Sequence, residues 1–224
     1  MNKLFLLCLL ILIATSGCHQ QPSRSKKYLT EHELDKISAS HVVAFNTFVQ
    51  GKTYGTGFHV NFLGKTFIVT NKHVCDAGLR IDKGKTLRVE NRIVKIIHID
   101  TTHDLCAVEA IKDDGITLAA SEAQVLDKIT LIGHPRGLPT IIRKGAIVEH
   151  GLKSCIAYHT GVRCLESTRI SAIAYPGNSG SPVLNEDGEV IGVLFAGSSY
   201  YPHEPLMVPF QYLRNFMSKI YQQI

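Results

Sequence analysis

From position 41 onward, apolar residues alternate with polar ones or gather in short runs, giving strand-like segments at 41–49, 56–62, 65–71, 87–99, 105–111, 128–134, 145–151 and 189–197. These segments are rich in Val, Ile, Phe and Thr, and Gly, Asn and Asp turns such as Leu63-Gly64-Lys65 and Glu186-Asp187-Gly188 separate them, as expected of half-buried strands. Many short strands argue for an all-β barrel or sandwich over a βαβ sheet. Two stretches depart from this texture. Thr30 with Glu33 is a capping-box signature that predicts a short helix through about Ile37. Tyr212, Leu213, Phe216 and Ile220 recur at near-helical spacing and predict a C-terminal helix beginning after Pro209. Positions 19–29 are polar without periodicity and read as a tether.

The first residues carry an address. Lys3 followed by an apolar run over 4–14 has the charged start and short hydrophobic stretch of an export signal, too short to span a bilayer comfortably. The run ends in Thr15-Ser16-Gly17-Cys18, which resembles the bacterial lipobox, with Thr15 where that pattern usually has Leu. Lipidation of Cys18 would anchor the protein to a membrane, and ordinary cleavage near Ser16 or Gly17 would release it to the periplasm or exterior. Both place it outside the cytoplasm, in the bacterial cell envelope or beyond. Positions 1–18 are thus expected to be signal, 19–37 tether and short helix, and 38–222 the folded domain.

Export gives the remaining cysteines a meaning, because Cys75, Cys106, Cys155 and Cys164 form an even set for an oxidising compartment. Three pairings are open, and four buried free thiols are the alternative. Joining Cys155 to Cys164 sets 158 opposite 161 across a tight turn at His159-Thr160, as an antiparallel hairpin would.

The net charge of +5 is dispersed as single Lys and Arg residues, apart from a short cluster at Arg24, Lys26 and Lys27. Without a dense basic stripe or interleaved aromatics, no nucleic-acid partner is expected. His98 and His103 lie outside any HExxH or CxxC-type ligand set, so no metal or other cofactor is expected. Asp76, Asp113 and Asp114 read as solvated loop acids.

Chemistry concentrates at three places. Ser179 lies in Tyr175-Pro176-Gly177-Asn178-Ser179-Gly180-Ser181, where glycines permit a tight loop that can aim successive N–H groups at one point. An attacking serine needs such preorganised donors. His73 follows the apolar segment 65–71, and Asp104 opens another strand before Leu105 and Cys106. A nucleophile, a base and an acid to orient that base are the components of a catalytic triad. Cys75 and Cys106 each lie two residues past one of these candidates, so their proximity is plausible if the triad forms.

At these residues the sequence resembles the chymotrypsin-like peptidases, and within them the bacterial HtrA/Deg proteases. The shared motifs are Gly55-Thr56-Gly57-Phe58, the segment around His73, the segment around Asp104, Leu131 to Gly137, and the Ser179 loop with the following Glu189-Val190 strand. The candidates are 31 and 75 residues apart in the order His, Asp, Ser. A lipase or esterase would carry its acid and histidine after the serine.

The resemblance covers roughly 40–215. It implies a double six-stranded antiparallel β-barrel with a C-terminal helix, the barrels spanning about 38–115 and 116–205. It further implies a cleft between the barrels that acts on protein or peptide substrates, with Ser179 as nucleophile, His73 as base and Asp104 as orienting acid. The oxyanion hole falls on Gly177, Asn178 and Ser179, with Gly177 and Ser179 giving the N–H groups and Asn178 shaping the loop. Ile173 becomes the floor of a specificity pocket that Leu194, Phe195 and Ala196 complete, which favours small or medium apolar side chains before the cut. Asn178 stands where digestive relatives have an acid, which argues against activation by N-terminal clipping. Ser181 stands where HtrA-type chains usually have a smaller residue, and its hydroxyl reads as tolerated. The His134 to Gly137 segment reads as a turn whose Arg136 approaches the cleft. The chain reads as a protease domain without a peptide-recognition domain after its C-terminal helix, its oligomeric state open. A latent or chaperone-like peptide-binding module is the alternative function.

Overall fold

The computed structural model describes residues 29–46, 53–81, 87–158, 161–197 and 203–223. The export signal, Cys18 and the His159-Thr160 turn lie outside the described residues.

Helix α1 (Glu31–His41) begins as its sequence requires. Thr30 Oγ1 accepts from the Glu33 N–H at 3.2 Å, and the Thr30 N–H donates back to Glu33 Oε2 at 2.8 Å. It runs one turn past Ile37 and passes directly into β1 (Val42–Asn46). There follow β2 (Thr53–Phe62), β3 (Lys65–Asn71), α2 (Lys72–Ile81), β4 (Leu87–Val89), β5 (Arg92–Val94), β6 (Ile96–Asp100), β7 (Leu105–Glu109) and β8 (Ile116–Thr117). These strands make a curled sheet in the order β5-β4-β1-β2-β3-β7-β6, antiparallel throughout, with β8 laid parallel on β2. The remaining strands are β9 (Lys128–Gly133), β10 (Ile141–Tyr158), β11 (Gly161–Ile170), β12 (Pro182–Leu184), β13 (Val190–Ala196) and β14 (Leu206–Val208). They close into a barrel in the order β10-β11-β14-β13-β12-β9. Helix α3 (Phe210–Gln223) starts directly after Pro209.

The architecture is the mostly-β double barrel with a C-terminal helix, and its second half is the six-stranded barrel expected. The first half departs from six, with eight strands among the described residues. The segment 87–99 breaks into three strands: Glu90 and Asn91 both take positive φ, 46° and 67°, and form a two-residue hairpin turn between β4 and β5, and a second break at Lys95 separates β5 from β6. The pair β8 then extends the edge of β2 beyond β1.

One apolar cluster spans both halves and takes in Leu34 of α1 and Leu213, Phe216, Met217 and Ile220 of α3. A second fills the closed barrel around Leu131, Ile147, Ile170 and Val183. The third lies beneath α2, where Val74 and Cys75 meet Phe45, Ile68, Leu87 and Cys106. Helix α2 has no counterpart among the elements predicted from sequence, because a glycine interrupts it and only ten residues form it. That glycine is a packing requirement: a Cβ on Gly78 would overlap Tyr54 Oη and Leu87 Cδ2.

Candidate active site

His73 is the second residue of α2, so the end of β3 and the first helical turn fix its backbone. Asp104 ends the tight turn between β6 and β7 in a left-handed conformation, φ 56°. Its carbonyl accepts from the Lys72 N–H at 3.0 Å and from Asn71 Nδ2 at 3.1 Å. Its carboxylate accepts from the His73 N–H at 3.0 Å through Oδ1 and meets His73 Nδ1 at 2.7 Å through Oδ2. An ionised carboxylate only accepts, so Nδ1 carries the proton of the neutral imidazole and Nε2 keeps its lone pair. Asp104 is 3% exposed, so its contact with His73 is little screened by water.

The turn that delivers Asp104 is itself braced. The Asp100 carboxylate accepts from the Thr102 and His103 N–H groups and from His103 Nδ1. Burial pushes the Asp100 pKa up, but these hydrogen bonds and the His103 charge outweigh it and hold the carboxyl below its ordinary value. The His103 ring stacks on Tyr212 of α3 at 4.0 Å between centroids, and Tyr212 donates to Glu166 of β11 at 2.8 Å. The hydrogen bond to Glu166 raises the Tyr212 pKa. His98 packs against Phe216, at 5.6 Å.

Ser179 sits on a loop whose shape depends on two glycines with positive φ, Gly177 (98°) and Gly180 (87°). Contact as well as conformation excludes larger residues: a Cβ on Gly177 would stand 2.5 Å from the His134 carbonyl, and one on Gly180 would overlap the Thr56 carbonyl. Thr56 of β2 fastens this loop to the other half of the molecule. Its N–H donates to the Ser179 carbonyl at 2.8 Å, its Oγ1 donates to the Gly177 carbonyl at 2.7 Å, and Oγ1 accepts from the His134 N–H at 3.0 Å. The Asn178 N–H donates to the Tyr175 carbonyl at 3.0 Å. Asn178 is therefore removed as an oxyanion donor and only shapes the loop, whereas Gly177 and Ser179 have no such internal acceptor among the described residues. Asn178 Oδ1 and Ser181 Oγ are buried without hydrogen-bond partners among the described residues, and both face Gly133.

His73 and Ser179 line one cleft of about 920 Å³. Lys72, Asp76 and Arg80 of α2 form its charged rim, and Ala174, Leu194, Phe195, Ala196 and Gly197 form an apolar wall beside Ser179. Asp76 lies on the helix rather than in a loop and pairs with Lys72. Ile173 requires a correction. It lines a separate cavity of about 130 Å³ with Arg136, Leu138 and Tyr175. Its neighbour Ala174 lines the cleft instead. Arg136 lines that second cavity rather than the cleft, and its guanidinium lies 4.4 Å from the ring centroid of Tyr175, which borders both.

Two disulfides frame the site. Cys75–Cys106 joins α2 to β7, each cysteine two residues past His73 or Asp104, and Cys155–Cys164 staples β10 to β11. Sequence reasoning missed Thr56, although the Gly55 to Phe58 motif contains it. It also missed Ile156 and Ala157, which line the cleft from the end of β10; β10 runs on past position 151, where alternation weakens.

Residues 55–193 match the family model described as the trypsin-like peptidase domain. Among solved structures, the active form of the Rv3671c protease from M. tuberculosis is similar, with a TM-score of 0.65 and 19% identity over 84% of this chain and 83% of that one. Its inactive form gives a TM-score of 0.63 and 20% identity, over 84% and 91%. The serine endoprotease from Yersinia pestis gives 0.64 and 22% over 84% of this chain and 64% of that one. The likeness to these structures is one of fold, and the family model spans more than half of the sequence. The chain belongs to the trypsin-like peptidase domain family and is, by that membership, a serine endopeptidase.

Proposed function

We propose that the protein is an exported serine endopeptidase in which Ser179 attacks the scissile carbonyl, His73 takes and returns the proton, and Asp104 orients the imidazole. The two-point contact of the Asp104 carboxylate with the His73 backbone and ring carries the proposal. It fixes the ring and leaves Nε2 as the base in the cleft that Ser179 shares. The tetrahedral oxyanion would be met by the N–H groups of Gly177 and Ser179. A buried acid to pair with Lys or Arg is missing from the wall of Ala174, Leu194, Phe195, Ala196 and Gly197, which supports cleavage after small or medium apolar residues.

The leader pattern supports export, with Cys18 as the lipidation site. Two disulfides suit an oxidising compartment. Substrates would be proteins or peptides met in the cell envelope. A fluorophosphonate probe tests the nucleophile: labelling of the wild type and none of Ser179→Ala is expected. Equal labelling of the two would refute the assignment, and a folded wild type that never labels would favour the peptide-holding alternative.

A further inference from the structure

Beyond residue 151, β10 and β11 continue as a two-stranded arm, in register Cys155 to Cys164, Ile156 to Arg163 and Ala157 to Val162. Burial alternates along β10. Leu152, Ser154 and Ile156 are half-buried, while Lys153, Cys155 and Ala157 are exposed, so the first three share the inward face. Residues directly opposite in a strand pair lie on the same face, which puts Arg163 beside Ile156. Arg163 Nη1 donates to the Thr101 carbonyl at 3.0 Å, in the turn that ends at Asp104. The arm is thus tied to the N-terminal sheet next to the catalytic acid, and the Cys155–Cys164 staple holds its two strands together.

The cleft therefore has two apolar walls from different sources. Ala174 and the segment from Leu194 to Gly197 make one, beside Ser179. Ile156, from the inward face of the arm, lines the same cleft with Ala77 and Leu79 of α2 and supplies the other. An extended peptide turns successive side chains to opposite sides. A substrate whose residue before the cut faces the first wall presents the preceding side chain to the second.

We propose that Ile156 is a specificity-determining residue, selecting a medium aliphatic side chain at the position one residue upstream of the one that precedes the scissile bond. This rests on the peptidase reading above. Its basis is steric: Ile156 is a branched side chain held over the cleft by the staple and by the Arg163 bridge, so its volume sets what fits beside it.

The test is peptide-library profiling of the full protein, with Ser179→Ala as the blank. Ile156→Ala should move the preference at that upstream position toward Phe and Tyr, and Ile156→Phe should move it toward Ala and Gly. Each shift should be on the order of tenfold in relative kcat/KM, with the preference directly before the cut unchanged. Arg163→Met should flatten the preference at the same upstream position by freeing the arm. Unchanged profiles in both Ile156 variants, or shifts spread equally over all positions, would overturn the inference while leaving the peptidase reading intact. Absence of Ser179-dependent cleavage in the wild type would sink both.

Discussion

Replacing Thr56 by Val isolates the strut between the two halves of the site. Thr56 is fully buried, and its hydroxyl serves two backbone groups, donating to the Gly177 carbonyl at 2.7 Å and accepting from the His134 N–H at 3.0 Å. Valine matches the shape and deletes both bonds, while the Thr56 N–H bond to the Ser179 carbonyl survives. A buried polar group left unpaired costs about 1–3 kcal/mol. Gly177 and His134 are half-buried, which puts each loss near the lower end and the sum at about 2–3 kcal/mol. Release of the Gly177 carbonyl also loosens the turn that carries the Gly177 and Ser179 N–H groups, the donors proposed for the oxyanion. Full loss of one such donor costs about 10²–10³ in kcat, which sets the ceiling. The assays are urea denaturation and steady-state hydrolysis of a peptide substrate, with Thr56→Ser as control because it keeps the hydroxyl. A Val variant as stable and as active as the Ser variant would refute the strut.

Asp104→Asn should preserve the fold yet lower kcat by about 10⁴, since an amide can hold the imidazole in the wrong tautomer; initial rates against pH would check it, and a loss below tenfold would contradict the assigned role. His59 is buried in β2, with Nδ1 3.2 Å from the His41 carbonyl and Lys112, Asp114 and His41 around it, and burial lowers its pKa. The unfolded chain then binds more protons than the folded one below the ordinary value of about 6.5, so stability is full above that pH and falls as pH drops toward the depressed folded value. Thermal melts from pH 7.5 to 5 should show this slope, flattened in His59→Gln; an equal slope in the variant would exclude His59 as its source. Joint replacement of Cys75 and Cys106 by Ser opens a loop with a sequence separation of 31. It should cost about 3–4 kcal/mol by loop entropy, read as a lower urea midpoint, and a midpoint equal to the wild type's would show that the bond adds no stability.

Local signals translated well into structure where a few adjacent residues decide the outcome. The Thr30 and Glu33 box, the helix after Pro209 and the Cys155 to Cys164 register all follow from short spacings. His73, Asp104 and Ser179 stood out because their motifs combine residue type with order; His73 and Ser179 line one cleft, and Asp104 is buried against His73. What failed depends on which side of the backbone a residue faces. Ile173 and Ala174 differ by one position, and only the course of the loop decides that Ala174 meets the cleft. Helix α2 was illegible because Gly78 lowers helix propensity for the sake of contacts with Tyr54 and Leu87, both remote in sequence. Thr56 reads as an ordinary strand residue until its partners, 78 and 121 residues away, are known.

Gly133 has a consequence for how such chains can drift. A side chain there would overlap the Ser181 hydroxyl and approach Asn178 Oδ1 to 2.8 Å, so positions 133, 178 and 181 form a coupled triplet with one shared volume. A relative that gains a methyl at 133 must first shed the hydroxyl at 181. Transplanting the Ser179 loop into another barrel without its distant glycine would carry the serine and leave behind the space that lets its loop close.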